Sequence, residues 1–309
     1  MPAPLTTRLG AAVPGRRVRP PGGIGVSSAF GTFGELLQGV LPGEDGDFLV
    51  TLPIARWSMA TFQVAPELRE VQVVPRHKVK VRRLAEMMLA WAGRPAGGLL
   101  SIESTLPEGK GLASSSADLV ATARAVGNAL RLALPPERIE GFLRRIEPTD
   151  GVLYPEIVAF HHRAVRLRHR LGSLPTMTVV GVDEGGVVDT IEFNRLAKPF
   201  SPAERREYAR LLDRLIKAVE RRDLPEVGAV ATRSAEMNQV LRPKRTLERM
   251  LAIRAEVQAL GVVAAHSGTM LGILLDTADP EYVTKLATTV RACTRLSRDV
   301  SLYRTLSFD

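Results

Sequence analysis

The sequence has little cysteine and no long apolar run, and both shortages limit what the protein can be. Cys293 is the single cysteine in 309 residues, so the chain has no internal disulfide and offers no cysteine cluster for zinc. No segment reaches the roughly 18 consecutive apolar residues that a membrane-spanning helix needs. Apolar stretches such as 176–182 end after the length of a strand. We therefore expect a soluble protein of the reducing cytoplasm, with Cys293 packed as a small apolar residue.

Aromatic residues are also few, at 5% of the chain, and this bears on the net charge of +9. Excess Lys and Arg attracts nucleic acids through counterion release. Much of the excess, however, lies in segments 1–23 and 163–170, without interleaved aromatics that would stack bases. We interpret 163–170 as a solvated helix face and expect no nucleic-acid or membrane partner. A positive field would still attract nucleotides and other anions.

The N-terminal segment 1–23 combines four arginines with several prolines and glycines. It contains no apolar run of the kind that a signal peptide needs. We therefore predict a flexible basic tail for 1–23.

Hydrophobic periodicity divides the remaining chain into strands and helices. Turn signals break 24–64 into short strands, and the other predicted strands are 98–104, 177–182, 262–265, 271–276 and 301–304. The predicted helices are 78–91, one after Ser116, one after Pro136, and those near 203–221, 225–239, 246–260 and 280–293. This alternation predicts an α+β fold of two domains, 24–174 and 175–309. The sequence leaves open whether the chain is a monomer or a homodimer.

A glycine- and serine-rich loop at 107–116 lies between a predicted strand and a predicted helix. Gly109 and Gly111 would let backbone N–H groups approach a polyphosphate, and the helix start would add its unpaired amides. Lys110 offers a charge, and Ser114, Ser115 and Ser116 offer hydroxyls that donate to phosphate or ligate magnesium. The pattern is neither a Walker loop nor a dinucleotide fingerprint, so an N-cap serine cluster on an ordinary helix stays equally open.

Three motifs in order resemble those of the GHMP kinases, the family of galactokinase, homoserine kinase and mevalonate kinase. Residues 31–39 read GTFGELLQG, residues 107–116 read PEGKGLASSS, and residues 265–272 read AHSGTMLG. Together with Glu-Pro-Thr-Asp at 147–150, these motifs resemble the L-threonine kinase branch, which supplies a phosphorylated linker for adenosylcobalamin. The resemblance spans roughly 24–306.

The resemblance implies a GHMP kinase two-domain fold, with an S5-like N-terminal domain and a ferredoxin-like C-terminal domain around a cleft. It implies ATP and Mg²⁺ as cofactors and phosphorylation of the hydroxyl of an amino acid, first of all L-threonine. Asp150 would be the catalytic carboxylate, although as a residue type it fits an Asx-turn or a helix cap equally well. Ser115 would ligate magnesium, with Glu147 as the acidic partner and Glu140 as the alternative.

The resemblance further implies a nucleotide site and an acceptor site. The predicted nucleotide-binding residues are Pro107, Gly109, Lys110, Gly111, Leu112, Ala113, Ser114, Ser115 and Ser116. The predicted substrate-binding residues are Thr32, Glu35, Gln38, Thr149, His266, Ser267 and Gly268. Among them Glu35 would meet an ammonium group.

The chain also departs from the family pattern. Many GHMP kinases carry a lysine in the first motif, and 27–32 has none, which excludes a mechanism that requires it. Phe33 replaces a small residue, so we expect it to reshape the acceptor pocket. Homoserine or serine is therefore an alternative acceptor, and a noncatalytic S5-like RNA-binding module is the alternative from another class.

Overall fold

The computed structural model describes residues 23–43, 47–94, 97–186 and 198–308. Apart from Gly23, the predicted tail 1–23 lies outside the described residues. The ten strands of this part are β1 (Ile24–Val40), β2 (Asp47–Val64), β3 (Val71–Val74), β4 (Gly98–Ser104), β5 (Ile157–His161), β6 (Arg166–Gly172), β7 (Met177–Asp183), β8 (Gly261–Ala264), β9 (Met270–Asp276) and β10 (Val300–Arg304). Its α-helices are α1 (Val79–Trp91), α2 (Ser114–Leu130), α3 (Pro136–Leu143), α4 (Pro202–Arg221), α5 (Leu224–Met237), α6 (Leu247–Glu256) and α7 (Tyr282–Thr294).

One sheet runs through both halves of the described chain, in the order β10-β7-β9-β8-β1-β2-β4-β3. The strand β5 adds to β2, and β6 pairs only with β5. The two halves meet where β1 pairs antiparallel with β8, with Glu35 opposite Ala264. The first sequence motif therefore lies at the junction of the halves.

The helices begin where their sequences provide a start signal. Ser201 caps α4, because its hydroxyl accepts a hydrogen bond from the backbone N–H of Glu204. In return, the Glu204 carboxylate accepts one from the backbone N–H of Ser201. Pro136 opens α3, where a missing N–H costs nothing. The helix α1 buries Val81, Leu84 and Met88 on one side, as their spacing predicts.

Two hydrophobic clusters fill the described chain. The larger cluster packs α1, α2, α4 and α5 against β1, β2, β4 and β5. The smaller one lies between β7, β8 and β9 on one side and α6 and α7 on the other, and it contains the fully buried Cys293. Burial raises the pKa of the Cys293 thiol to about 11, which fits its predicted packing role.

The α+β class is confirmed, and most predicted elements agree with the structure to within a few residues. The prediction for 24–64 was wrong in length, because two long strands replace the short ones. The prediction of a helix for 163–170 was wrong in type. Its arginines lie largely on the exposed strand β6, where alternation along the strand keeps their heads in water. The division at 174/175 stays a prediction.

Within the described residues, no helix is long and apolar enough to span a membrane.

Candidate active site

The loop before α2 has a backbone that only special residues adopt easily. Gly109 and Gly111 have φ of +72° and +82°, and Ala113 follows at +57°. Positive φ is cheap for glycine and strained for alanine. This path brings the loop to Ser114, the first residue of α2, where the first backbone N–H groups have no partner within the helix. The loop and the helix start together offer a concentration of backbone donors suited to an anion.

The loop is held against both other motifs. The backbone N–H of Thr32 donates to the Leu112 carbonyl at 3.3 Å, and that of Gly34 donates to the Gly111 carbonyl at 3.4 Å. On the other side, a Cβ added to Gly268 would stand 1.9 Å from the Lys110 carbonyl oxygen. The third motif therefore needs glycine at 268 in order to approach the loop.

A pocket of about 100 Å³ opens where the three motifs meet. It is lined by Glu35, Lys80, Gly109, Gly111, Leu112, Ala113, Ser114, Ser115, Ser116, Glu147, Pro148, Asp150, His162, His266 and Ser267. A larger and more open hollow of about 440 Å³ lies between the end of α1 and α3. It shares no lining residue with the serine-lined pocket, and its surface is mainly apolar, so we place the chemistry in the smaller one.

Asp150 is tied to the start of α2. The hydroxyl of Ser116 accepts from the Asp150 backbone N–H at 3.0 Å and donates to Asp150 Oδ2 at 3.2 Å. Burial raises the pKa of Asp150 to about 6, the hydrogen bond from Ser116 opposes this rise, and repulsion from Glu147 adds to it. A carboxyl with this pKa is ionised at neutral pH and can accept a proton.

Ser115 and Glu147 form a second contact across the pocket. The Ser115 hydroxyl donates to Glu147 Oε1, and Lys80 Nζ pairs with Glu147 Oε2. Mg²⁺ prefers oxygen ligands, and here a hydroxyl oxygen and a carboxylate oxygen lie next to each other. These two residues therefore fit a magnesium ion, with Lys80 orienting the carboxylate.

Glu140, the alternative acidic ligand, stabilises the fold and lies outside the pocket lining. One oxygen of its buried carboxylate accepts from the Tyr154 hydroxyl at 2.8 Å and from the Leu167 backbone N–H at 2.9 Å. These bonds join α3 to the β5–β6 hairpin. Glu140 does not line the pocket.

Glu35 faces Asp150 from the junction of the two halves. Its carboxyl accepts from the backbone N–H of His266, while Oε2 has no hydrogen-bond partner within the described part of the chain. Burial, and then repulsion from Asp150, raise the pKa of Glu35 well above its usual value. A buried carboxyl with one unsatisfied oxygen is suited to a cationic ligand, which would restore its charge.

Behind Glu35 lies a buried polar network. His266 Nδ1 is 2.6 Å from Gln38 Oε1, and the Gln38 amide donates to the Ala264 carbonyl at 3.3 Å. The His266 ring meets the His162 ring edge to face, with centroids 4.8 Å apart. Burial and the neighbouring cations lower the pKa of His266, so its imidazole is neutral at pH 7.

The structure gathers most of the predicted residues at the pocket, but some do not line it. Those absent from the lining are Pro107, Lys110, Thr32, Gln38, Thr149 and Gly268. Lys110 instead pairs with Asp183, Nζ to Oδ2 at 2.5 Å. Thr149 orders the turn before Asp150, since its hydroxyl donates to the Glu147 carbonyl at 3.0 Å. Gln38 contacts His266, which lines the pocket.

The expectation that Phe33 reshapes the acceptor pocket was wrong. Its ring is fully buried, with its centroid 5.0 Å from that of Tyr303, and Phe33 does not line the pocket. It fits there because Gly181 and Gly272 stand opposite each other on β7 and β9. A Cβ at either glycine would come within 2.8 Å of the ring. The larger residue is therefore accommodated in the core.

Sequence reasoning missed Lys80, His162 and Lys244. Lys80 resembles any solvated residue on an amphipathic helix, and His162 stands at the edge of an arginine-rich segment. Lys244 is buried, donates to the Gly268 carbonyl at 2.5 Å, and has its pKa lowered to about 8 mainly by burial. Its only signal is the preceding proline, which marks the loop between two helices.

Comparison with known proteins finds similarity in sequence and in fold. Residues 79–152 match the family model "GHMP kinases N terminal domain". An L-threonine kinase of Citrobacter freundii is 27% identical over 244 residues, which cover 79% of this chain and 83% of the relative. One of Salmonella typhimurium is 27% identical over 261 residues, covering 82% and 83%. The crystal structure of homoserine kinase from Cytophaga hutchinsonii superposes with a TM-score of 0.68 at 14% identity, covering 96% and 98%.

The fold is that of the GHMP kinases, with the curled sheet and helices of that class. The resemblance to the GHMP kinases read from the three motifs is confirmed. The chain is also similar to L-threonine kinases over most of its length.

Proposed function

We propose that this protein transfers the γ-phosphoryl group of ATP to the hydroxyl of an amino acid, and that the acceptor is L-threonine. One observation carries the proposal: Ser115 and Ser116, at the start of α2, contact the carboxylates of Glu147 and Asp150 across a single pocket. A donor-rich anion cradle and a proton acceptor thus adjoin, which is what phosphoryl transfer requires. The similarity to L-threonine kinases supports the choice of acceptor.

The backbone of 109–116 and the N-terminus of α2 bind the polyphosphate and hold its terminal group toward Asp150. The acceptor oxygen forms a bond to the γ-phosphorus, and the bond between that phosphorus and the β,γ-bridging oxygen breaks. Asp150 takes the hydroxyl proton, and ADP carries away the electron pair of the broken bond. Ser116 keeps the Asp150 carboxylate aimed at the hydroxyl throughout.

The Ser115 hydroxyl and the Glu147 carboxylate would hold Mg²⁺, and Lys80 would fix the orientation of Glu147. When bound, the ion neutralises charge on the phosphates. The first motif lacks a lysine, and among the described residues Lys80 is the lysine that lines the pocket.

Glu35 would take the acceptor's ammonium group. Its unsatisfied oxygen lies in the same pocket as Asp150, so one amino acid would reach Glu35 with its ammonium and Asp150 with its hydroxyl. Gln38 and His266 position this wall, and Ser267 offers a further polar contact. The supply of a cobalamin linker and the cytoplasmic location, which the resemblance implies, stay predictions.

The test is ATP turnover by the purified protein with L-threonine, L-serine and L-homoserine, each at several concentrations. We expect kcat/KM to be greatest for L-threonine. Preference for L-homoserine or L-serine would keep the kinase and change the acceptor. No turnover with any of them, together with salt-sensitive retention of RNA, would favour the noncatalytic alternative.

A further inference from the structure

Lys110 points away from the nucleotide pocket although it belongs to the phosphate loop. Its ammonium group is 2.5 Å from Asp183 Oδ2 and donates to the Gly186 carbonyl at 3.1 Å. Asp183 ends β7, in the other half of the sheet from the loop. An ion pair thus connects the phosphate loop of one half to a strand of the other.

The second oxygen of Asp183 is used as well. Oδ1 accepts from the Thr269 hydroxyl at 2.5 Å and from the Gly185 backbone N–H at 2.9 Å. The Asp183 side chain is only 3% exposed, and its hydrogen bonds with Lys110, Thr269 and Gly185 outweigh burial to lower its pKa. Asp183 is therefore an anion held in place, because each of its carboxylate oxygens has a partner.

The hydrogen bond between Asp183 and Thr269 holds the third motif at the residue that follows Gly268. Gly268 makes the closest contact of this motif with the phosphate loop. Gly268 packs on the Lys110 carbonyl and the Gly111 backbone nitrogen so closely that no side chain would fit. Lys244 holds the Gly268 carbonyl from behind, at 2.5 Å. Asp183 and Lys244 thus fix, from two directions, the segment that supports the strained backbone of the phosphate loop.

We propose that Asp183 is a positioning residue for ATP: it holds Lys110 and Thr269 together, and so fixes the backbone N–H groups of the loop in their binding arrangement. This inference rests on the proposed function for the identity of the nucleotide. It assigns Lys110 to the support of the loop, whereas the sequence predicted that Lys110 contacts the phosphates. Preorganised donors bind an anion more tightly than donors that must first be ordered.

The two roles of Lys110 predict different double-mutant cycles. If Lys110 acts through Asp183, then Asp183→Asn and Lys110→Met each raise the Kd of ATP, and the double variant is no weaker than either single one. We expect a roughly tenfold rise, within the coupling found for residues in contact. The KM of ATP should rise similarly, while kcat and the KM of the acceptor change less than about threefold.

Thr269→Val provides a second route to the same question, since it removes one bond to Asp183 without touching Lys110 or any charge. We expect a smaller rise in Kd, about threefold. It also covers the case in which Asp183→Asn fails to fold. Lys285 and Asp279 form a matched control pair at 2.6 Å on α7 and the loop before it. Asp279→Asn should leave the Kd of ATP unchanged.

ATP binding is measured by titration calorimetry without acceptor, so it does not depend on which hydroxyl is phosphorylated. A protein that binds ATP but turns over no acceptor would overturn the proposed function and leave this inference standing. The inference is wrong if Lys110→Met weakens ATP binding while Asp183→Asn and Thr269→Val leave it within twofold. Additive effects in the double variant would likewise contradict it.

Discussion

Ser116 and Asp150 are hydrogen bonded twice, since the Ser116 hydroxyl accepts from the Asp150 backbone N–H and donates to its carboxylate. The two residues are 34 positions apart in sequence, one at the start of α2 and the other after a proline turn. This pair fixes a carboxylate of pKa about 6 beside the phosphate loop. The first predictions concern this carboxylate.

Asp150→Asn should lower kcat by about 10²- to 10⁴-fold, the range for removal of a general base. Asparagine keeps the shape and the bonds to Ser116 but cannot take the hydroxyl proton. The Kd of ATP, measured by calorimetry, should change little. Near-normal turnover with intact binding would exclude Asp150 as the proton acceptor.

The pH dependence of kcat/KM should show an ascending limb with a midpoint of about 6. Asp150 accepts a proton only when ionised, so activity falls as the pH drops below its pKa. Ser116→Ala removes the hydrogen bond that lowers this pKa, and the limb should move to higher pH. A limb that stays in place in Ser116→Ala would point to another titrating group.

Glu147→Gln should raise the Mg²⁺ concentration needed for half-maximal activity by at least roughly 10-fold, since loss of even an outer-shell partner of a metal ligand costs about 10- to 100-fold in affinity. Ser115→Ala should act in the same direction. Glu140→Gln is the matched control. It weakens a buried link to Tyr154 and should lower the melting temperature without changing the Mg²⁺ requirement. Equal Mg²⁺ responses of Glu140→Gln and Glu147→Gln would contradict the assignment.

Glu35→Gln should raise the KM of L-threonine by about 10- to 100-fold, because a hydrogen bond to a charged group contributes about 1.5–3 kcal/mol. The KM of ATP should change less than about twofold. Steady-state kinetics with each substrate varied in turn provide the measurement. If both KM values rise together, Glu35 supports the fold of the site and does not bind the ammonium group.

Phe33→Ala should cost about 3–5 kcal/mol of unfolding free energy, the usual range for truncating a buried phenylalanine. Its ring fills the space over Gly181 and Gly272 and does not reach the pocket. Chemical denaturation measures the loss, and the ratio of kcat/KM for L-threonine to that for L-serine should be unchanged. A change in that ratio would show that position 33 does reach the acceptor.

Local patterns in the sequence predicted the helices and the placement of the phosphate loop. Spacing in α1, the proline start of α3 and the glycine-serine loop before α2 are all short-range signals. The prediction for 163–170 was wrong because the same run of arginines fits a solvated helix face and an exposed strand. Only its pairing with β5 makes it a strand.

The parts that could not be predicted depend on contacts between distant segments. The side chain of Phe33 packs in the core because two glycines on β7 and β9 leave room for its ring. The side chain of Lys110 turns toward Asp183, which is 73 positions away in the sequence. Glu140 and Glu147 are equivalent as residue types. Their separation into a structural and a pocket carboxylate arises from the hairpin that only Glu140 reaches.

The most direct test of phosphoryl transfer to an amino-acid hydroxyl is ³¹P NMR of the product formed from ATP and L-threonine. We predict a phosphomonoester signal split into a doublet by the single proton on the threonine Cβ, together with ADP, from the wild-type protein. The matched Asp150→Asn protein should produce this signal at least 100-fold more slowly. Release of inorganic phosphate alone, or equal rates from the two proteins, would contradict the account.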